Sequence, residues 1–270
     1  MLVAESLIAA CAGIDTILHL AGEAHVGNVS NDSEGQSIVL AAENLLAAAS
    51  EQGVSRIVFV SSSLAAAAET HSRDMTSYGS SKLQAETAFL KACERGDIEV
   101  AILRPVNVYG VGMKGNIAGM ISLVSKGRLP PLPRIGSRIS LVGVRDLARA
   151  IILAANLPAA SARIYTITDG QEYGLNEIEN AIYRALGRTK PSWHTPAVIL
   201  YIASVVAGAF NKMGISRSSI SGRTYQNLMN DNLFDNSKAC QELGFSPSET
   251  LYEALPEITE HILRTGSKAN

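Results

Sequence analysis

The sequence predicts an α/β protein built on a doubly wound parallel sheet, with a smaller C-terminal lobe. Three observations carry that prediction. Short apolar runs alternate with longer stretches of helical periodicity through the first part of the chain. The runs are continuously apolar rather than alternating, as strands covered on both faces are. The helical stretches between them stop on glycine, at Gly53 and Gly96.

Taken in order, residues 14–22 (IDTILHLAG) read as a buried strand running into a turn, with Asp15 a structural residue that ends the turn before the strand. Residues 36–52 read as a helix, with Ile38, Val39, Ala42, Leu45, Leu46 and Ala49 at helical spacing. Residues 56–62 (RIVFVSS) are β-branched and form a second buried strand. A helix follows over 77–95, then a third strand over 98–105 (IEVAILRP). Strands joined through helices pair in parallel, because the crossover returns the chain to the same edge. From Tyr109 the pattern loosens. Gly- and Pro-rich loops at 109–116 and 128–138 flank a helix over 117–125. Residues 139–144 and 163–170 read as strands, Asp146 as the cap of the next helix, and Asp169-Gly170 as a turn. Helices are expected over 174–188, 236–247 and 248–262, the last capped by Ser248. The expected organisation is a first domain over 1–106 and a lobe over 107–270, partly woven back into the first.

Of the 270 residues 47% are apolar, which supplies a sizeable core, and only 18% are charged. A net charge of -2, dispersed along the chain, argues against a grip on nucleic acid or anionic membrane. Cys11, Cys93 and Cys240 are far apart, and His25, His71, His194 and His261 lack metal-ligand spacing. Reduced thiols and a cytoplasmic location follow, with no metal site. Residues 196–210 form an apolar run shorter than the ~20 residues that cross a bilayer, so a core or lid helix is expected there rather than a transmembrane span, with an amphipathic segment resting on a membrane as the alternative.

The chemistry concentrates in residues 61–82, SSSLAAAAETHSRDMTSYGSSK. Tyr78 and Lys82 stand four apart on one helix, so they share a face. An ammonium beside a phenol favours the phenolate and draws its pKa down from ~10. A phenol so lowered is a general base for an alcohol proton. Ser61, Ser62 and Ser63 follow a strand, at the carboxyl end where parallel sheets place ligands. Tyr-x-x-x-Lys by itself is common in a chain of this length, and its bland reading is an exposed pair on a helix. The strand end before it and the strand ending in RPVNVYG after it turn the balance toward a proton-transfer site.

These stretches carry a resemblance. VSRIVFVSSS (54–63), SYGSSKLQAE (77–86), LRPVNVYGVGMKGN (103–116), RISLVGVRDLARAI (138–151) and DNSKACQELGFSP (235–247) resemble the extended short-chain dehydrogenase/reductases. Within that family the likeness is to the NAD-dependent epimerase/dehydratase group and its nucleotide-sugar 4-epimerase and 4-keto reductase branch. It implies a Rossmann-like fold and NAD or NADP as cofactor. It implies Tyr78 as base, Lys82 as the residue that lowers its pKa and holds the cofactor, and Ser63 on the sugar oxygen, with Ser62 as the alternative. It implies further cofactor contacts at His19, Leu20, Ala21, Gly22, Ser61, Ser62 and Pro105. Asn107, Lys114, Asn116 and Arg138 are implied contacts of a UDP-linked sugar, and helices 36–52 and 78–95 an implied homodimer interface.

The chain departs from the family in three places. A strand, a Gly-rich turn and a helix normally come first and bind the cofactor pyrophosphate. Here the sequence opens at MLVAESLIAACAGID, so the cofactor domain is expected to be incomplete. The one G-x-G-x-x-G, at Gly110, Gly112 and Gly115, is a decoy, because no acidic residue stands ~20 positions on. Ile38 occupies the place of an asparagine that organises the proton path, and the segment from Ser63 to Tyr78 is short. A second reading is therefore a truncated, non-catalytic remnant or binding subunit of the same family. A third is a reductase of steroid-like substrates, against which the KGN loop at 114–116 argues. Glu86, two turns beyond Tyr78, reads as a surface or interface residue.

Overall fold

The computed structural model describes residues 4–22, 32–70, 76–134, 136–157, 162–196, 198–199 and 230–266. In chain order its elements are α1 (Ala4–Cys11), β1 (Thr16–His19), α2 (Asp32–Glu51), β2 (Arg56–Val60), α3 (Ser63–Glu69), α4 (Ser77–Glu94), β3 (Glu99–Pro105), β4 (Asn107–Tyr109), α5 (Asn116–Ser125), β5 (Arg138–Gly143), α6 (Val144–Asn156), β6 (Arg163–Ile167), β7 (Glu172–Gly174), α7 (Leu175–Ala185), α8 (Ser237–Leu243) and α9 (Leu251–Gly266). They fall into two compact units.

The first unit takes Met1–Val106, Arg145–Thr168 and Asp235–Pro247. Its sheet runs β1-β2-β3-β6, every pair parallel. The register sets His19 beside Phe59, Val60 beside Leu103 and Pro105 beside Ile167, so the carboxyl ends of all four strands share one edge. β2 and β3 are buried nearly throughout, as continuous apolar strands under two helical layers must be. Their core joins Ile57, Phe59, Val100 and Ile102 to Ala42, Ala49, Ala85 and Phe89 of α2 and α4. Small residues on the facing sides let those two helices pack closely. Ile38 lies against this core, partly buried.

The second unit takes Asn107–Val144, Asp169–Phe234 and Ser248–Asn270. β4 and β5 pair in parallel, and β5 and β7 antiparallel. Tyr109, Ile121, Leu141, Tyr173, Ile178 and Leu255 meet in its core.

Several expectations are corrected. Of residues 14–22, expected as a buried strand running into a turn, only Thr16–His19 form the strand, and Leu18 is 44% exposed rather than buried. It is the edge of its sheet among the described residues, so one side has no strand against it. Residues 63–69 form α3, which an alanine run and a serine cap favour. Ser248 is not the cap of α9. Thr250 is, for its Oγ1 accepts from Glu253 N while the Glu253 carboxylate accepts from Thr250 N at 2.8 Å. Asp146 lies within the first turn of α6 rather than at its cap, fully buried and paired with Arg149. Asp169 is more than a turn residue: its buried carboxylate accepts from Tyr109 Oη at 3.1 Å and Tyr173 Oη at 2.6 Å. Glu86 is no surface residue, being 1% exposed and paired with Arg104.

All three cysteines are free thiols. Among the described residues no helix is long and apolar enough to cross a membrane. Most of the 196–210 stretch, together with His25 and His71, lies outside those residues.

Candidate active site

β2 ends at Val60, and the three serines follow at the carboxyl edge of the sheet. Ser61 continues the pairing with β3, its N donating to Leu103 O at 2.8 Å. Its hydroxyl is buried and has no hydrogen-bond partner among the described residues. Ser62 is the N-cap of α3, in extended conformation, and its Oγ accepts from Leu64 N at 3.2 Å. That role occupies the side chain and leaves Ser63, buried at the first position of α3, as the serine of the pair without a capping duty.

α4 begins at Ser77 with Thr76 as its cap, Thr76 Oγ1 accepting from Gly79 N at 2.9 Å. Tyr78 is therefore in the first turn and Lys82 one turn on. Lys82 is 2% exposed. Its Nζ donates to Val60 O at 3.0 Å and lies 4.7 Å from the centroid of the Phe59 ring and 5.9 Å from that of Tyr78. His19 stacks on Phe59, ring centroids 5.3 Å apart. Gly22 closes the group: a Cβ there would stand 2.9 Å from Lys82 Nζ. His19, Gly22, Tyr78 and Lys82 are thus gathered around one buried ammonium. Leu20 and Ala21 are exposed, and Pro105 is buried at the end of β3.

Burial sets the electrostatics of this group. It pulls Lys82 down to about 8, against the opposing charge of Glu86. It pulls His19 down to about 4, helped by the charge of Lys82, so His19 is neutral near pH 7. The expected lowering of Tyr78 is not found. Burial pushes that phenol up, and the ammonium that was to stabilise its anion is held on the Val60 carbonyl and the Phe59 face.

The sugar contacts expected at Asn107, Lys114, Asn116 and Arg138 all belong to the second unit. Asn107 opens β4, Lys114 lies in the loop after it, and Asn116 starts α5; all three are exposed. Arg138 opens β5, donates to Glu172 O at 3.1 Å and stands 3.7 Å from Glu177. Gly115, between Lys114 and Asn116, has φ 95° and is the N-cap of α5, a backbone conformation that favours glycine.

Two features were not read from the sequence. Gly79 packs so tightly that a Cβ would stand 2.4 Å from the backbone oxygen of Leu64. Arg104 and Glu86 form a buried pair beneath α4. A glycine directly after Tyr78, and an acid four residues after Lys82, were the available signals.

The chain resembles known proteins over most of its length. The NAD dependent epimerase/dehydratase family matches residues 1–168. The chain is 28% identical to the UDP-glucose 4-epimerase of Vibrio cholerae, over 93% of this chain and 78% of that protein. It is 24% identical to the N-acetyl-alpha-D-glucosaminyl-diphospho-ditrans,octacis-undecaprenol 4-epimerase of Escherichia coli O157:H7, over 95% of this chain and 80% of that one. In fold it is similar to the UDP-N-acetylglucosamine 4-epimerase of Bacillus cereus, with a TM-score of 0.72 at 22% identity, covering 98% of this chain and 82% of that structure. A parallel sheet with its serines, tyrosine and lysine at the carboxyl edge, and a family match over more than half its length, make the chain a member of the NAD dependent epimerase/dehydratase family.

Proposed function

We propose that the chain carries out NAD(P)-dependent chemistry at C4 of a UDP-linked sugar, as a 4-epimerase or 4-keto reductase serving surface-polysaccharide synthesis in the cytoplasm. The observation that carries this reading is Lys82, an almost wholly buried lysine fixed on the Val60 carbonyl with Tyr78 one turn before it. A buried ammonium beside a phenol suits proton handling better than solvation. The two 4-epimerases among the relatives support the choice of C4 and of a diphosphate-linked sugar.

The first unit suits a nicotinamide cofactor on two counts. Ser61 Oγ is a buried hydroxyl in want of a partner, and Gly22 leaves open, beside Lys82 Nζ, the volume that a Cβ would fill. His19, Gly22, Ser61 and Lys82 would hold it. NAD(P), when bound, supplies hydride acceptance and return at the sugar carbon. Tyr78 Oη exchanges a proton with the C4 oxygen, Ser63 Oγ orients that oxygen, and the Lys82 charge steadies the phenolate. Asn107, Lys114, Asn116 and Arg138 are the proposed contacts of the nucleotide sugar. The raised Tyr78 favours the reductase alternative by one specific argument: a phenol that keeps its proton is ready to donate it to a ketone oxygen.

Two assays separate the readings: C4 inversion of UDP-sugars, and NAD(P)H consumption with a 4-keto sugar. Tyr78→Phe abolishes whichever activity is found; turnover surviving that change overturns the proton-transfer assignment. Absence of turnover together with absence of NAD(P) binding by calorimetry marks a folded, non-catalytic family member instead. The same reading includes a homodimer through helices 36–52 and 78–95. Between them runs a groove of about 560 Å³ lined by Val39, Leu46 and Ala88, with Glu43 and Lys91 among the charged residues. Sedimentation is expected to give twice 28.6 kDa, and Ala88→Arg to give the single chain. A single-chain mass for the unaltered protein overturns the dimer.

A further inference from the structure

Arg104 stands one residue before the end of β3 and is 7% exposed despite its charge. Its Nε and Nη2 donate to the Glu86 carboxylate at 3.0 and 2.6 Å, and Glu86 is 1% exposed. Its Nη1 donates to Glu69 Oε2 at 2.8 Å, at the last residue of α3. One guanidinium therefore ties three elements together. α3 begins at Ser63, α4 carries Tyr78 and Lys82 ahead of Glu86, and β3 ends on Pro105. These are the elements that present the proposed site.

A buried ion pair is a poor device for stability alone, since apolar residues of similar volume often do as well. What it supplies is geometry. A two-pronged guanidinium–carboxylate contact fixes distance and orientation together. Glu86 is also one turn beyond Lys82 on the same helix face. Its charge works against the burial that discharges Lys82. The other groups facing that ammonium do not replace it: His19 of β1 is neutral, Tyr78 keeps its proton, and β2 offers only the Phe59 ring and the Val60 carbonyl.

We propose that Glu86 and Arg104 are positioning residues of the C4 chemistry, holding α4 against β3 and α3 so that Ser63, Tyr78 and Lys82 keep their spacing, while the Glu86 carboxylate keeps Lys82 charged. The proposal rests on the roles given to Tyr78 and Lys82 above.

The test titrates Lys82 directly, by NMR of 15N-labelled lysine side chains, with Lys82→Arg identifying the signal. In Glu86→Gln the Lys82 midpoint falls by about one pH unit. kcat falls about tenfold or more with little change in KM, and the pH profile of kcat moves with the midpoint. Arg104→Lys keeps the charge but loses the fork, so kcat falls while the midpoint holds. The double variant Glu86→Leu/Arg104→Met leaves no buried charge unpaired and covers the case in which a single variant does not fold. It regains the thermal midpoint of the unaltered protein, while the Lys82 midpoint stays low and kcat stays depressed. An unmoved Lys82 midpoint in folded Glu86→Gln, or unaltered kcat and Lys82 midpoint in the double variant, overturns the proposal and leaves the pair purely structural. If the unaltered protein turns over no nucleotide sugar, the C4 reading fails by itself, and the lysine titration still decides whether Glu86 governs Lys82.

Discussion

Lys82 spends its donor on a main-chain carbonyl and its charge on an aromatic face, and the space around it is kept open by a residue with no side chain. Gly22 is the closest test of that arrangement. A methyl group at Gly22 would meet the mobile end of Lys82 at 2.9 Å, not backbone. The chain can therefore accommodate alanine by moving the ammonium, at small cost in stability. The move takes Nζ off the Val60 carbonyl. Gly22→Ala is expected to leave the thermal midpoint nearly unchanged and to lower kcat about tenfold to a hundredfold, the size of effect that an ångström of misplacement brings. Unaltered kcat in a folded Gly22→Ala protein would show that the ammonium need not sit where it does. At this scale the sequence was a good guide to identity and a poor one to electrostatics. Tyr78 and Lys82 were legible from their spacing because helix geometry alone puts them on one face. The sign of the Tyr78 shift was not, because burial is set by residues distant in sequence.

Between elements, the contact that matters most is α3 against α4. A Cβ on Gly79 would stand 2.4 Å from Leu64 O, which is backbone and has little room to yield. Helix propensity alone would make Gly79→Ala favourable by ~1 kcal/mol. Overpacking against backbone costs about 1–3 kcal/mol or more, so the clash decides the sign. Gly79→Ala is expected to be less stable by about 1–2 kcal/mol in urea unfolding; a gain in stability would mean that the two helices can part without cost. Leu64 follows Ser63 and Gly79 follows Tyr78, so the same contact brings the serine-bearing and tyrosine-bearing turns together. The alternation of strands and helices was readable because its periodicities are local. α3 is harder to read, because its alanine run has no apolar–polar periodicity and only the Ser62 cap announces it. The burial of Glu86 is hidden in the sequence for a different reason. A charged residue on a helix is usually solvated, and nothing local announces that Arg104, on a strand, will pair with it.

For the molecule as a whole, the buried titrating groups fix how stability depends on pH. His19 holds a folded pKa of about 4 against an ordinary 6.5. Between those values the unfolded chain binds a proton that the folded chain refuses, so stability falls as pH drops from 6.5 toward 4. The full effect of such a difference is at most about 3 kcal/mol. Lys82 holds about 8 against 10.5. There too the unfolded chain binds more protons, so stability rises with pH from about 8 upward. Above pH 10 the raised tyrosines, Tyr78, Tyr109, Tyr165, Tyr173, Tyr183 and Tyr252, reverse the slope, because the folded chain then keeps protons that the unfolded chain has lost. Urea unfolding across pH is thus expected to show an acid limb between 4 and 6.5, a flat region to 8, a modest rise toward 10 and a fall beyond. His19→Phe should remove much of the acid limb while keeping the stack on Phe59, and Lys82→Met should remove the rise above 8. An acid limb of unchanged steepness in His19→Phe would place the acid sensitivity on carboxylates elsewhere in the chain rather than on the neutral imidazole beside Lys82.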